Sequence, residues 1–488
     1  MWSPVNMPLL AVCQVVSRMA TGVGSAASSF GVEKQHSMRY IVAASGAGTV
    51  IEWYDFYIFG SLATLMAVKF FHAADTGAFL LTLGTFAAGF AVRPFGAVVF
   101  GRIGDLVGRK YAFLLTITIM GAGTTLIGVL PEYAAIGVLA PLILLALRVV
   151  QGLALGGEYG GAVVYVAEHA PDERRGYWTS YIQTTATLGL FLALGVILAL
   201  QLGLGTVTFN AWGWRLPFLL STVLVAASVF IRWKLRETPL FSRLKREGRT
   251  SKHPTREALG NFANWKLILL ALFGATAGQA VVWYTGQFYS LYFMQVSLKM
   301  DRVIAAEIVL VALALATPFF IVFGRLSDRI GRKKIIMAGC LLAAVSYYPI
   351  FSGIAAYSSP PNLPVLIGLN FILVFYVTMV YAPIAAFLVE FFPARIRYTC
   401  LSVPYHLGNG EFGGFTPVIA VAIAAWTGNI FAGLAWAIVI PLMTFVIGMR
   451  YLPETKDTKI WEEVTPAPAL GGPASMPRAG TDVGTTMK

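Results

Sequence analysis

Ionisable side chains lie inside long apolar stretches of this chain. Glu52 and Asp55 occur together in a Glu-Trp-Tyr-Asp motif, Arg93 lies eight residues before a glycine-rich polar loop, and Arg148 lies about ten residues into another apolar stretch. A charged group that faces lipid costs at least about 3 kcal/mol, so these side chains are expected to face a polar interior. The spacing of three residues places the two carboxylates near one another on one helix face.

Proton exchange is the chemistry that Glu52 and Asp55 could carry out. Two neighbouring carboxylates that are shielded from water resist being charged together, so one of them can gain or lose a proton. A purely structural arrangement, in which arginines neutralise both, is the alternative. Arg93 could do this, or it could bind an anionic group of a solute through its forked guanidinium. For Arg148, substrate binding or proton coupling is favoured.

Polar and aromatic residues on two further stretches extend the candidate substrate site. Gln151 lies seven residues before Glu158, almost on the same helical stripe. The glycines around Glu158 superficially suggest a phosphate loop, but the Walker pattern and its preceding strand are absent, so close helix packing explains them better. Farther along, Trp283, Tyr284 and Gln287 recur at helical spacing and form either a ligand surface or a packing face.

Membrane-spanning helices are the elements that must position these residues. The chain has 488 residues, of which 57% are hydrophobic and only 12% are charged, and a water-soluble fold could not bury so much apolar surface. About 20 apolar residues cross the hydrocarbon core of a bilayer. On this basis the chain divides into twelve candidate helices, at residues 41–68, 78–100, 111–130, 138–166, 178–202, 215–232, 267–294, 303–324, 335–356, 364–391, 400–426 and 430–451.

Basic residues predict how these helices are oriented. In a soluble protein a net charge of +13 would raise nucleic-acid binding, but here the lysines and arginines concentrate in short loops, so no nucleic-acid partner is expected. If both termini are cytoplasmic, thirty of the 36 lie on the inner side, and only Lys69, Arg215, Lys299 and Arg302 lie outside. This asymmetry predicts cytoplasmic termini. The three widely spaced cysteines support no metal site or disulfide framework.

An internal repeat indicates two related halves. Residues 101–110 and 324–333 both read GRxxDxxGRK and are identical at six of ten positions. Two parallel six-helix bundles of this kind can bind a solute between them and rock around it. The predicted division is a disordered or mis-started extension at 1–38, an N-terminal bundle at 39–232, a cytoplasmic linker at 233–265, a C-terminal bundle at 266–457 and a disordered cytoplasmic tail at 458–488. The basic linker could also contact anionic membrane lipid.

These loops make the chain resemble the major facilitator superfamily over residues 39–457, because GRxxDxxGRK at both places is its cytoplasmic signature. The Glu-Trp-Tyr-Asp-Phe motif, Arg93-Pro-Phe-Gly, Arg148-Val-Val-Gln-Gly and Trp214-Arg-Leu-Pro-Phe further resemble the metabolite:proton symporter family. That family includes permeases for dicarboxylates, citrate, shikimate, aromatic acids and zwitterionic osmolytes in bacterial inner membranes. The resemblance implies an all-α membrane protein with twelve transmembrane helices in two pseudo-symmetric six-helix bundles.

The resemblance also implies roles for individual residues. It implies that Glu52 and Asp55 take part in proton coupling, and that Arg93, Arg148 and Glu158 line or organise the central site. It further implies an inner gate, held closed by charge pairs and helix ends, that is formed by Asp105, Arg109, Asp328 and Arg332.

The sequence therefore predicts a proton-coupled secondary transporter that imports a small organic acid across a bacterial inner membrane by alternating access. It is expected to act as a monomer, without a cofactor or a metal. Two alternatives remain open. One is a symporter for a zwitterionic osmolyte such as betaine or proline, for which Trp283 and Tyr284 would supply a cation-π face. The other is a membrane sensor that binds solute without moving it. An enzyme is not expected, because metalloprotease and hydrolase motifs are absent.

Overall fold

The computed structural model describes residues 37–71, 76–106, 109–157, 159–233, 257, 259–393 and 397–460. Several sequence-based predictions fall outside these residues: the N-terminal extension, Glu158, most of the cytoplasmic linker and most of the C-terminal tail. The side chains of Asp105 and Arg109 are also outside what is described.

Helices joined by short loops make up almost all of the described chain. In the first half they are α1 (Met38–Ser61 and Ala63–Phe71), α2 (Thr76–Ala91 and Arg93–Leu106), α3 (Arg109–Val129), α4 (Leu139–Gly156 and Tyr159–His169), α5 (Arg175–Leu204) and α6 (Thr206–Gly213 and Arg215–Trp233). In the second half they are α7 (Phe262–Ser297), α8 (Arg302–Ala316 and Pro318–Ile330), α9 (Arg332–Ala356), α10 (Leu363–Tyr381 and Ile384–Phe391), α11 (Arg397–Leu407, Gly408–Gly414 and Thr416–Thr427) and α12 (Leu434–Tyr451).

The length and composition of these helices agree with an all-α membrane protein. Within the described residues, nine are long and apolar enough to cross a bilayer, and α6 makes a tenth if its two parts, bent by 61°, count as one span. The apolar part of α3 is shorter, at Leu114–Val129, and α1 carries the two predicted carboxylates. The predicted total of twelve spans is consistent with this arrangement.

Polar side chains and glycine define where several helices begin. The Asp301 side chain accepts hydrogen bonds from the backbone N–H groups of Val303 (2.9 Å) and Ile304 (3.2 Å) and so caps α8. Gly331 separates α8 from α9 with a φ of 114°, which an L side chain rarely adopts. We call the end of the bundle that carries this loop the inner end and the opposite end the outer end, following the orientation that the basic residues predict.

Wide π-helical turns interrupt the two helices that carry most polar residues in the second half. In α7 they occupy Leu272–Thr276, Thr285–Tyr289 and Phe293–Ser297, and in α11 they occupy Gly408–Gly414. Such turns occur frequently at functional sites, because they change which side chains share one helix face. The glycines of the α11 turn also let this helix approach its neighbours closely.

Helices α2 and α4 pack together through glycines. A Cβ at Gly152 would overlap the carbonyl oxygen of Gly89, and a Cβ at Gly156 would overlap the carbonyl oxygen of Arg93. Gly152 and Gly156 are four residues apart and therefore lie on one face of α4. The close helix packing predicted for the glycine cluster is confirmed at Gly156, and this contact holds the backbone that carries Arg93.

Replacing Gly152 with alanine is expected to destabilise the protein by about 1–3 kcal/mol, because the backbones of α2 and α4 must move apart. The matched control is Gly84→Ala in α2, where nothing lies within 4 Å of the added Cβ. That control should be neutral or stabilising by up to about 1 kcal/mol, since alanine favours a helix. Thermal unfolding of both variants in detergent measures the difference. Equal stability of the two variants would contradict the packing argument.

Candidate functional site

The carboxylates of the predicted proton-coupling pair lie in the protein interior. Glu52 and Asp55, both on α1, are each 1% exposed, so neither faces lipid. The hydroxyl of Ser221, itself buried on α6, lies beside the Asp55 carboxylate. Within the described part of the chain, neither oxygen of Asp55 makes a hydrogen bond of good geometry. Asp55 is therefore a buried acid with no strong partner in these residues.

Arg93, on α2, is fully buried against aromatic rings. Its guanidinium carbon lies 5.6 Å from the ring centre of Trp53 and 5.4 Å from that of Phe90. None of its three side-chain nitrogens makes a hydrogen bond to a described residue. A buried guanidinium with unused donors is costly unless a ligand or a water molecule accepts hydrogen bonds from them.

Arg148, on α4, is also fully buried, but one nitrogen of its guanidinium is hydrogen-bonded. Its Nη1 donates to Oε1 of Gln151 at 2.9 Å and to the carbonyl oxygen of Phe56 at 3.4 Å, and the guanidinium lies 4.1 Å from the Phe56 ring centre. Gln151 in turn donates to the Thr124 hydroxyl at 2.7 Å. Gln151 therefore orients Arg148, while Nε and Nη2 of Arg148 have no hydrogen-bond partner among the described residues.

Neither buried arginine forms an ion pair with the predicted proton-coupling acid Asp55. Among the described residues, neither Arg93 nor Arg148 hydrogen-bonds a carboxylate, so neither neutralises Asp55 through a direct ion pair. Aromatic rings pack against both guanidiniums, and the Glu411 carboxylate interacts electrostatically with Arg93 without a hydrogen bond to it. Binding of an anionic solute group is the use that these free donors can serve.

The predicted stripe on α7 packs against α1. Trp283 stacks on Tyr57 with ring centres 5.3 Å apart, and Tyr57 stacks on Trp53 at 5.1 Å. Tyr284 meets the Phe90 ring edge-on at 5.2 Å, beside Arg93. The indole N–H of Trp283 has no hydrogen-bond partner in the described residues. The stripe is thus a packing face and also presents a free donor between the two halves.

Gln287 and Glu411 add unused acceptors to this region. The Gln287 amide donates to the Thr187 hydroxyl of α5 at 3.3 Å, which leaves its Oε1 without a partner among the described residues. Glu411 lies in the π-helical turn of α11, interacts electrostatically with Arg93, and has an Oε2 without a partner in the same residues. Glu411 was not among the predicted site residues, although a carboxylate on the predicted span 400–426 was a usable signal.

At the inner end, Asp328 joins the second half to the start of α5. Its carboxylate oxygens accept hydrogen bonds from the backbone N–H groups of Gly176 and Tyr177, each at 2.8 Å. A carboxylate at a helix N-terminus is favoured by the helix dipole. Arg332 lies 2.6 Å from the same carboxylate. The structure therefore brings together the second-half pair that was predicted for the gate.

A second carboxylate completes this inner network. Glu390 accepts hydrogen bonds from Arg175 at 2.8 Å, from Arg332 at 3.0 Å and from the Thr455 hydroxyl at 2.7 Å, and all three charged side chains are fully buried. Arg175 belongs to the first half, whereas Glu390 and Arg332 belong to the second. Neither Glu390 nor Arg175 was predicted for the gate, because no local pattern shows that residues 215 positions apart will meet.

The outer end is closed by a contact between α1 and α7. The Tyr292 hydroxyl donates to the carbonyl oxygen of Gly60 at 2.7 Å, and Phe79 of α2 packs edge-on against Tyr292 with ring centres 5.5 Å apart. A Cβ at Gly60 would lie 2.8 Å from the Phe288 ring, so glycine permits this close approach. The central polar residues are thus enclosed by contacts toward both ends of the helices.

Comparisons with known proteins give the class of protein that this fold and site define. The family described as Sugar (and other) transporter matches residues 40–261, and the Major Facilitator Superfamily matches residues 282–472. The chain belongs to the major facilitator superfamily of membrane transporters.

The names of individual relatives give different solutes. A citrate-proton symporter of Klebsiella pneumoniae is 35% identical over 78% of this chain and 85% of its own length. A putative proline/betaine transporter of Staphylococcus haemolyticus is 31% identical over 83% of this chain and 86% of its own length. A solved proton:xylose symporter with bound 6-bromo-6-deoxy-D-glucose gives a TM-score of 0.70 at 16% identity, covering 88% of this chain and 98% of that one, and supports the fold alone. These matches indicate a transporter rather than an enzyme.

Replacing Glu390 with glutamine is expected to lower the free energy of unfolding by about 3–5 kcal/mol, because two buried guanidiniums would lose their shared negative charge. The matched control is Glu132→Gln at the outer end, where the carboxylate is 25% exposed and lies 3.0 Å from Lys69. That partly exposed pair should contribute at most about 1 kcal/mol. Thermal and denaturant unfolding of the purified variants measures both effects. A loss at Glu390 no larger than at Glu132 would contradict the role assigned to the buried network.

Proposed function

We propose that this transporter imports a small organic acid together with protons, with Arg93 as the main contact for the solute carboxylate. The observation that supports this most directly is the fully buried Arg93 guanidinium, whose donors are unused by the described residues. It lies beside residues of both halves, since it packs against Trp53 of α1 and interacts electrostatically with Tyr284 of α7 and Glu411 of α11. A carboxylate bound there would supply hydrogen-bond acceptors for these donors and a negative charge in direct contact with the guanidinium.

The remaining central groups fit the polar parts of such a solute. In this proposal Arg148, held by Gln151, is a second cation for a dicarboxylate or tricarboxylate. The Trp283 N–H and the Gln287 carbonyl hydrogen-bond further oxygens or hydroxyls, and Trp283 and Tyr284 pack against the carbon skeleton. Glu158 is proposed to border the same site, on the basis of the family resemblance. The contacts to Arg148, Trp283 and Gln287 each satisfy a polar atom that the described residues leave without a hydrogen bond.

In the proposed coupling step, Asp55, together with Glu52, takes up a proton from the outer side. Burial makes the charged carboxylate costly, so protonation favours a state in which the acid is sealed from water. The solute then binds, the halves rock, and low proton activity inside empties the acid. Each net positive charge carried inward gains about 2.3 kcal/mol per 100 mV of inside-negative potential. The ratio of protons to anions therefore decides how far the solute accumulates.

The proposed inner gate opens when the bonds between halves at the inner end break. Asp328 leaves the start of α5, and Arg175 separates from Glu390, while Arg332 stays with its own half. Asp105 and Arg109 are proposed to form the corresponding group in the first half, because the repeat places them at equivalent positions. Both termini are proposed to be cytoplasmic, in a bacterial inner membrane, with bundles at 39–232 and 266–457.

A zwitterionic osmolyte is the second candidate substrate. The stacked rings of Trp53, Tyr57 and Trp283 could receive a quaternary ammonium group while Arg93 binds the carboxylate. The similarity to a putative proline/betaine transporter also favours it. Uptake of labelled citrate, other acids and betaine into proteoliposomes, with and without an imposed pH gradient, distinguishes the candidates. Solute binding without counterflow would instead indicate a sensor.

Asp55→Asn is expected to abolish accumulation of the acid driven by a pH gradient, because an amide cannot release a proton at neutral pH. Counterflow, which exchanges labelled for unlabelled solute without net proton movement, should persist. Counterflow in the same preparation is therefore the control for folding and solute binding. Normal gradient-driven accumulation by this variant would remove Asp55 from the coupling step.

Arg93→Gln is expected to raise the half-saturating concentration of the acid roughly tenfold to a hundredfold, since a hydrogen bond to a charged group contributes about 1.5–3 kcal/mol. Arg215→Gln is the matched control, because this arginine lies at the outer end and donates to the carbonyl oxygens of Gly128 and Leu130. It should leave the half-saturating concentration unchanged. Concentration-dependent initial uptake rates measure both. Unaltered acid affinity in Arg93→Gln would exclude the proposed carboxylate contact.

A further inference from the structure

A cleft of about 570 Å³ opens at the outer end between the two halves. Its first-half side comes from α1 and α2, and its second-half side comes from the end of α7 and the start of α8. Phe79 lines the cleft and also packs on Tyr292, whose hydroxyl bonds Gly60. The cleft therefore lies directly outside the contact that closes the outer end, on the route that a solute from outside would take.

Two of the four outer cations line this cleft. Lys299 and Arg302 are among its lining residues. The other two outer cations are used elsewhere, because Lys69 lies 3.0 Å and Arg215 lies 3.6 Å from the carboxylate of Glu132.

The polar groups beside these cations differ in how many hydrogen bonds they already make. Asp301 also lines the cleft, but one of its oxygens is engaged by the backbone N–H groups that begin α8. Gln295, at the end of α7, presents a buried Oε1 that has no hydrogen-bond partner among the described residues. The cleft thus offers two cations, one partly engaged carboxylate and an amide with spare hydrogen-bonding capacity. This combination favours a hydroxylated or multiply charged carboxylate.

The backbone at Lys299 is held in an unusual conformation. Its φ is 54°, and it is the only non-glycine residue with a positive φ in the described chain. The left-handed region disfavours a residue such as lysine, and such conformations concentrate where a side chain must be aimed in one direction. The hydrogen bond from the Met300 N–H to the Met294 carbonyl oxygen, at 2.9 Å, closes the turn that carries Lys299.

We propose that this cleft is an outer subsite, in which Lys299 and Arg302 bind a small carboxylate anion before it passes Phe79 and Tyr292 to the central site. The proposal rests on the proposed function, because it takes the same substrate class. A pocket lined by cations at the mouth of a closed path raises the local concentration of an anion and its rate of capture. The low number of outer cations makes this pair the main source of positive potential on that side.

Removing either charge should weaken the uptake of external citrate without changing its maximal rate. Lys299→Gln and Arg302→Gln are each expected to raise the half-saturating external citrate concentration roughly two- to fivefold, the range that a solvent-exposed charge contact contributes. Lys299→Arg should retain the wild-type value. Lys69→Gln is the matched control, since it removes one outer charge that does not line the cleft. An equal rise in Lys69→Gln, or no rise in the two cleft variants, overturns the proposal.

A binding measurement separates this proposal from the proposed function. In right-side-out vesicles without a gradient, external citrate should slow acylation of the Lys299 amine by a membrane-impermeant reagent, and it should leave Lys69 unaffected. Peptide mass spectrometry measures both rates. Protection of Lys299 without any gradient-driven acid accumulation would support the subsite and contradict organic-acid import. Accumulation without protection would support import and overturn the subsite.

Discussion

The cost of burying charge away from water governs how this protein is arranged. Arg93, Arg148 and Asp55 are all within the interior, and the described residues satisfy them only partly. Burial of an ionised group without a full set of hydrogen bonds opposes folding, so the surrounding helices must pack well enough to offset it. The glycine contacts between α2 and α4 are part of that packing, because they hold the Arg93 backbone against its neighbour. These groups are the ones to which the proposed function assigns solute binding and proton coupling.

Buried arginines at the inner end, unlike Arg93 and Arg148, form ion pairs with carboxylates. Arg175 and Arg332 share the carboxylate of Glu390, and Arg332 also pairs with Asp328, so their charges are compensated by protein groups. Buried arginines therefore have different surroundings at the centre of the bundle and at its inner end. The arginines at the inner end join the halves through carboxylates, whereas Arg93 and Arg148 make no hydrogen bond to a carboxylate among the described residues. A switch between two states requires that the compensated contacts can exchange for others of similar free energy.

Aromatic packing joins the two halves at the centre of the bundle. Trp53, Tyr57 and Trp283 form a continuous stack between α1 and α7, and Phe90 lies between Arg93 and Tyr284. In α11, a Cβ at Gly413 would lie 2.6 Å from the Tyr284 ring, so the glycine-rich turn admits that ring. A change in how the halves pack must move these rings, and the rings contact the groups proposed to bind solute.

Much of the fold follows from the sequence alone, because apolar length, loop charge and the repeated GRxxDxxGRK motif depend only on local composition. The same local information placed Glu52, Asp55, Arg93 and Arg148 at membrane depth, where the cost of facing lipid requires that they point inward. Only the tertiary structure decided which groups meet: Glu390 with Arg175, Asp328 with the start of α5, and Trp283 with Tyr57. Those contacts join residues more than 100 positions apart, and their formation depends on how whole helices pack rather than on any spacing along the chain.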